Sequence, residues 1–206
     1  MRIGVDFDNT LVSYDELFHR VAQERGLIPP ALAASKRTVR DHLRNAGRED
    51  IWTEIQGYVY GARMAEAAAY PGAIEFLSWA RSENIALAIV SHKTRHPFAG
   101  PAYDLHEAAR GWIRAFLTDG PSCLIDGTNI FFELTKEEKI KRISTLELDF
   151  FIDDLPEIFL EAAFPRRTAR LLFDPDGSLP AHNGVTAFGS WELLRRHIES
   201  QWTRAH

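Results

Sequence analysis

The chain has 206 residues, enough for one well-packed core and a small accessory domain. Its 45% hydrophobic and 26% charged residues are ordinary for a globular protein, and a net charge of −5 argues against a nonspecific nucleic-acid binder. A single cysteine, Cys123, excludes an intrachain disulfide framework and a cysteine-rich zinc site and fits a reducing, cytoplasmic setting; no signal peptide is visible and no apolar run approaches the length of a membrane span.

Residues 2–6 read as a strand, and it ends in "DFDNT". Strand side chains alternate between faces, so Asp6 and Asp8 project the same way if the extended run continues. Two like charges on one face repel, and a cation would compensate them. The plain alternative is a solvated strand end followed by an ordinary Asn9-Thr10 turn.

The next stretch reads as helical. Leu17, Phe18, Val21 and Ala22 have helical spacing within 14–25, and Gly26 and Pro29-Pro30 stop that helix. Ser35 is a candidate cap for a helix reaching about residue 45. A third helix is expected over 49–66, with Ile51, Trp52, Ile55, Val59 and Met64 near one face. Residues 13–70 are thus expected to form an all-helical segment without strands, closed off by Pro71-Gly72.

Strands then return. Residues 73–83 are helical, and the apolar run "IALAIV" (85–90) suits a strand buried on both faces, ending in Ser91, His92 and Lys93. A loop over 92–101 leads to a helix over 104–116, where Asp104 and Glu107 have capping-box spacing. Residues 117–129 carry no clear pattern, and 130–133 read as a strand. Thr135 and Glu138 form a second capping box before "KIKRI". "DFFI" is a strand ending in Asp153 and Asp154; a helix over 155–164, the strands "ARLLFD" and "VTAF", and a helix from Ser190 to about residue 201 complete the chain.

Alternating strands and helices predict an α/β fold: a Rossmann-like parallel sheet with helices on both faces. The expected division is a core of 1–12 and 71–206 with a helical cap over 13–70. Ligands of such sheets bind at the carboxyl ends of the strands. Asp6 and Asp8, Ser91 to Lys93, and Asp153 and Asp154 all lie at such ends, so acids, a hydroxyl and a lysine would converge on one edge. Carboxylate oxygens suit a hard divalent cation such as magnesium, and no His or Cys pair for a softer metal is apparent.

Four segments in order carry a resemblance: "DFDNT", "IALAIVS", "TKEEKIKRI" and "FFIDD". Together they resemble the four motifs of the haloacid dehalogenase (HAD) superfamily of phosphohydrolases. The tail, "ARLLFDP" and "VTAFGSWELLRRHI", is similar to the deoxyribonucleotidase-like branch, and the helical insert resembles the superfamily's cap in its commonest position.

The resemblance implies that Asp6 is the nucleophile forming an aspartyl-phosphate and Asp8 the general acid and base. An acid at position 8 favours phosphatase or phosphotransferase chemistry over dehalogenation. Asp6, Asp154 and the backbone carbonyl of Asp8 would hold Mg2+, with Asp153 a neighbouring or water-mediated ligand. Thr10 would brace the loop, and Ser91 would donate to a phosphoryl oxygen. Lys136 and Lys139 both suit the motif lysine, and the apolar register of Ile140 and Ile143 favours Lys139. His92 and Lys93 are candidate substrate contacts, and residues 13–70 a mobile lid above a pocket lined by 92–103. The expected partner is a small phosphorylated substrate, with neither membrane nor nucleic acid. A 5'-nucleotidase, a phosphotransferase and a catalytically idle binding protein are the alternatives.

Overall fold

The computed structural model describes residues 1–120 and 122–202; the last four residues of the expected core range lie outside them. Six parallel strands form the main sheet: β1 (Arg2–Val5), β2 (Ala86–His92), β3 (Ile130–Glu133), β4 (Phe150–Asp153), β5 (Ala169–Phe173) and β6 (Val185–Phe188). Their order is β6-β5-β4-β1-β2-β3, with β1 between β4 and β2. Val5 pairs with Ile89 on one side and Ile152 on the other, so all three strands run out at nearly the same level. This is the α/β, Rossmann-like sheet read from the sequence.

The helices are α1 (Asp15–Glu24), α2 (Lys36–Asn45), α3 (Glu49–Tyr60), α4 (Ala73–Ser82), α5 (Leu105–Phe116), α6 (Lys136–Thr145), α7 (Pro156–Phe159) and α8 (Trp191–Trp202). None among the described residues is long and apolar enough to cross a membrane.

The chain forms two compact units: Met1–Leu11, Ala69–His92 and the described residues from Leu117 on in one, Val12–Ala68 with Lys93–Phe116 in the other. In the first, α6 and α7 supply Ile140, Ile143, Ile158 and Phe159 to a core shared with Ala88, Val90, Phe151 and Leu172 of the sheet. Elsewhere in this unit Trp191 of α8 packs against Phe76 and Phe173, ring centroids 5.0 and 5.6 Å apart.

In the helical unit, α1 buries Leu17, Phe18, Val21 and Ala22 at the spacing that defines its apolar face. Ser35 caps α2 by accepting from the backbone N–H groups of Arg37 and Thr38. Helix α5 and the loop before it join this unit. Trp112 Nε1 donates to the Ala67 carbonyl at 2.8 Å, and Tyr103 packs over Gly61, where a Cβ would come within 2.5 Å of its ring. Packing across chain distance therefore groups Lys93–Phe116 with the helices, although chain order alone would attach them to the sheet.

Three local expectations are revised. Helix α3 stops at Tyr60, before the Gly61 that Tyr103 covers, and a short 3-10 turn at Met64–Glu66 follows. The expected helix over 155–164 is confined to Pro156–Phe159. The 13–70 segment carries short extended pieces at both ends, Val12–Ser13 and Ala68–Ala69. The unpatterned 117–129 stretch contains the paired pieces Thr118–Asp119 and Ser122–Cys123.

Gly4 lets β1 lie under the Phe151 ring. A Cβ there would meet Leu148 Cδ1 at 2.3 Å and Phe151 Cδ2 at 2.7 Å. Gly4→Val should therefore lower stability by about 1–3 kcal/mol through overpacking, read as a lower urea midpoint at unchanged slope; a midpoint equal to that of the parent would show that the core yields there at no cost.

Candidate active site

Asp6 follows β1 directly, and its backbone N–H donates to the Ile152 carbonyl at 2.8 Å, which extends the pairing with β4 by one step. Alternation puts Asp6 on the face of Gly4, and Asp153 on the face of Phe151. These are the same face, because Gly4 abuts Phe151. Two carboxylates thus enter the side of the sheet that α6 covers, and both are almost wholly buried.

Lys139 meets them there. The capping box predicted at Thr135 and Glu138 is present and starts α6. Lys139 lies one helical turn before Ile143 and is turned inward with it. Its Nζ is 2.5 Å from Asp6 Oδ1 and 2.7 Å from Asp153 Oδ2, and the side chain is fully buried. Burial acts to lower the Lys139 pKa, but the charges of Asp153 and then Asp6 outweigh it, so the ammonium is held protonated above its ordinary range. Lys136 points elsewhere and pairs with Glu161.

Asp153 also accepts from the Leu155 N–H at 3.0 Å. Asp154 is half-buried and accepts from the Thr10 hydroxyl at 3.2 Å. Oxygens of Asp6, Asp153 and Asp154 all lie within 4.8 Å of one another. Three carboxylates around a single ammonium leave an excess of negative charge. Burial, reinforced by Asp6 and opposed by Lys139, pushes the Asp153 carboxyl up to about 7. An all-oxygen donor set with surplus negative charge in a buried setting fits a small divalent cation such as magnesium.

The remaining residues read from the sequence take distinct places. Asp8 is half-buried just beyond Asp6, and Asn9 turns the chain with φ +56°, a left-handed conformation that asparagine tolerates. Thr10 is buried, and its carbonyl accepts from Trp191 Nε1 at 3.2 Å. Ser91 and His92 end β2 at the same edge, the first buried and the second half-buried. Lys93 lies in the helical unit, its Nζ 4.7 Å from the centre of the Tyr60 ring. Asp8 is not among the acids grouped around Asp6. Trp191 is the anchor that the sequence did not announce: its bond to Thr10 joins residues 181 positions apart, and no local pattern marks it.

No protein-family model and no curated protein sequence matches the chain. Solved structures do. A predicted phosphatase from Clostridium acetobutylicum superposes with a TM-score of 0.58 at 13% identity, covering 97% of this chain and 98% of that one. The fold is that of the HAD superfamily of hydrolases. A HAD-family hydrolase from Deinococcus radiodurans, solved with bound phosphate and sodium, gives 0.57 at 17% identity over 97% of this chain and 95% of that one. A dehalogenase gives 0.57 at 13% identity over 95% and 96%. A predicted phosphatase and a dehalogenase thus share this architecture.

Replacing Lys139 by Met removes the buried cation and leaves two buried carboxylates facing each other. Stability at neutral pH should fall by about 3–5 kcal/mol, measured by urea denaturation without divalent cations. The deficit should shrink as the pH is lowered, because the Asp153 carboxyl, whose pKa is raised in the folded state, takes up a proton and the unpaired charge diminishes. A deficit independent of pH would assign the loss to packing instead.

Proposed function

We propose that the chain is a magnesium-dependent phosphomonoester hydrolase that acts on a small soluble phosphorylated metabolite through an aspartyl-phosphate on Asp6. The observation that carries this reading is the pairing of Asp6 with Lys139 beside Asp153 and Asp154, with a second acid, Asp8, two residues further along. A displacement at phosphorus needs these parts: an anionic nucleophile, a fixed cation, and a second acid to handle the proton.

In the first step a carboxylate oxygen of Asp6 attacks phosphorus, the bond from phosphorus to the ester oxygen breaks, and Asp8 gives its proton to the departing alkoxide. In the second step water attacks the same phosphorus while Asp8 takes its proton. The bond to the Asp6 oxygen breaks, inorganic phosphate leaves, and both carboxyl groups return to their starting states. Lys139 holds one oxygen of Asp6 through its ammonium, which leaves the other to react. Ser91 would donate to a phosphoryl oxygen, and Thr10 holds the loop in place through Asp154.

Magnesium would be held by Asp6, Asp154 and the backbone carbonyl of Asp8, with Asp153 beside them, and when bound it neutralises charge between the phosphate and the carboxylates. The similarity to a dehalogenase supports a second reading, in which Asp6 attacks carbon and expels a halide. Asp8 weighs against it, because that chemistry has no use for a second acid at the position. A lid role for the helical unit rests on chain order, since the 13–70 segment departs directly after Thr10 and returns before Gly72. The lone cysteine is in keeping with a cytoplasmic location.

Asp6→Asn should reduce phosphate release from a panel of phosphorylated metabolites by at least about a thousandfold while leaving the circular-dichroism spectrum unchanged. Parent-like turnover by the purified variant would remove Asp6 from the chemistry, and halide release from a 2-haloacid would favour the second reading.

Chelation should abolish phosphate release, and added magnesium should restore it. Asp154→Ala should weaken magnesium binding more than Asp153→Ala when titrated calorimetrically; the opposite order would move the direct ligand by one residue.

A further inference from the structure

The strands β1, β4 and β5 begin at the edge of the sheet opposite to Asp6 and Asp153. Their starts are tied side by side: the Asp149 N–H donates to the Arg2 carbonyl at 2.9 Å, and the Ala169 N–H donates to the Asp149 carbonyl at 2.8 Å. A cavity of about 620 Å³ opens beside them, and Arg2, Ser144, Glu147, Asp149, Arg166 and Arg167 are in its lining. Its volume is in the range of small-molecule sites. Four steps of extended chain, roughly 13 Å, separate Arg2 from Asp6, so this cavity is distinct from the candidate active site.

Three arginines and two acids share the cavity, and their pairing is uneven. Arg2 Nη1 is 3.2 Å from Glu147 Oε2 and donates to the Leu146 carbonyl at 3.3 Å, while the Arg2 backbone N–H donates to Asp149 Oδ2 at 2.8 Å. Glu147 adopts a left-handed backbone, φ +49°, just past the end of α6, a conformation that costs a non-glycine residue free energy. Arg2 and the two acids thus answer one another. Arg166 and Arg167 are exposed, and neither has a hydrogen bond or ion pair with any described residue. Adjacent guanidinium groups repel each other, and no carboxylate of the described residues pairs with either.

The backbone that carries them is pinned on both sides. Phe164 is buried in the core with Phe151 and Phe159. The Thr168 N–H donates to the Pro165 carbonyl at 3.3 Å, closing a turn whose two central residues are Arg166 and Arg167. Thr168 itself is buried, and its hydroxyl donates to the Leu148 carbonyl at 2.7 Å. A ligand that enters therefore has to order two side chains and not a loop, which lowers the entropic cost of binding.

The spacing of the two cations selects the ligand chemistry. The Cα atoms of neighbouring residues are about 3.8 Å apart, so two guanidinium groups from one turn can close on a single centre. A tetrahedral dianion sets several oxygens around one such centre, whereas a dicarboxylate divides its charge between two separate carbons. A phosphate monoester is close to a dianion at neutral pH, and the planar fork of arginine suits its oxygens. The rest of the cavity has room for the organic part.

We propose that Arg166 and Arg167 form a binding site for the phosphate group of a small phosphorylated molecule, at the sheet edge opposite to Asp6. The site does not depend on the phosphohydrolase reading, because none of its residues takes part in that chemistry.

The probe is ribose 5-phosphate, titrated calorimetrically into the whole protein in the presence of a chelator, which blocks metal-dependent turnover. Binding should be saturable. Arg166→Ala with Arg167→Ala should weaken it by at least about tenfold without changing the circular-dichroism spectrum. Arg166→Lys with Arg167→Lys, which keeps the charge and removes the forks, should recover only part of the loss. Removing two exposed arginines elsewhere, Arg114→Ala with Arg196→Ala, should leave the affinity unchanged, which separates a site from the general field of the surface. The nitrogen-15 resonances of Arg166 Nε and Arg167 Nε should move during the titration. Absence of saturable binding, parental affinity in the double-alanine variant, an equal loss in the Arg114 and Arg196 control, or arginine resonances that stay in place would overturn the site. Tighter binding of succinate than of ribose 5-phosphate would overturn the ligand class.

Discussion

A buried ammonium between two buried carboxylates is the constraint around which the α/β unit is arranged. Lys139 touches Asp6 and Asp153 and has no exposure to water. Taking such charges out of water costs several kcal/mol per ion in the interior. Their mutual attraction offsets that cost only if the geometry is held closely. The strands and helix that carry them must therefore be fixed before the charges can be tolerated. The sheet order supplies this, with β1 and β4 adjacent and in register, so that Asp6 and Asp153 arrive on one face at the same level. Helix α6 supplies the rest. Its capping box fixes where the helix starts, and the stripe of Ile140 and Ile143 fixes which way Lys139 turns.

The same constraint shapes the chemistry. A single lysine does not balance three acids, and burial, reinforced by Asp6 against the pull of Lys139, pushes the Asp153 carboxyl up to about 7. An all-oxygen cluster of that kind has the donor chemistry of a hard divalent cation site. Thr10 and Trp191 tie down the loop after β1: the hydroxyl of one meets Asp154, and the indole of the other meets the carbonyl of Thr10. Trp191 itself is seated against Phe76 and Phe173, so the loop carrying the acids is tied to the hydrophobic packing around α8.

The helical unit illustrates a different kind of dependence. Its apolar faces are written plainly in α1 and α3, where buried residues recur at helical spacing. Its boundary is not. The segment Lys93–Phe116 belongs to it through Trp112 meeting Ala67 and through Tyr103 lying over Gly61. A glycine that ends a helix in sequence is here also the place where a distant ring sits, and periodicity carries no information about that ring.

Much of the α/β unit was legible in the sequence because alternation and helical period are local properties of the chain. The strands ending in acids, the capping box at Thr135 and the parallel sheet follow from residue spacing alone. The convergence of Asp6, Asp153 and Asp154 could be anticipated, since a parallel sheet brings strand ends to one edge. What the tertiary structure decided was which groups meet there. Lys136 and Lys139 are both near a helix start, and only the approach of α6 to the sheet sends one to Glu161 and the other between two aspartates. Trp191 reaches Thr10 across 181 residues, and His92 keeps an unpaired nitrogen because of what surrounds it in space. Sequence spacing determines local conformation, whereas burial and charge pairing depend on neighbours far away along the chain, and those exist only once it has folded.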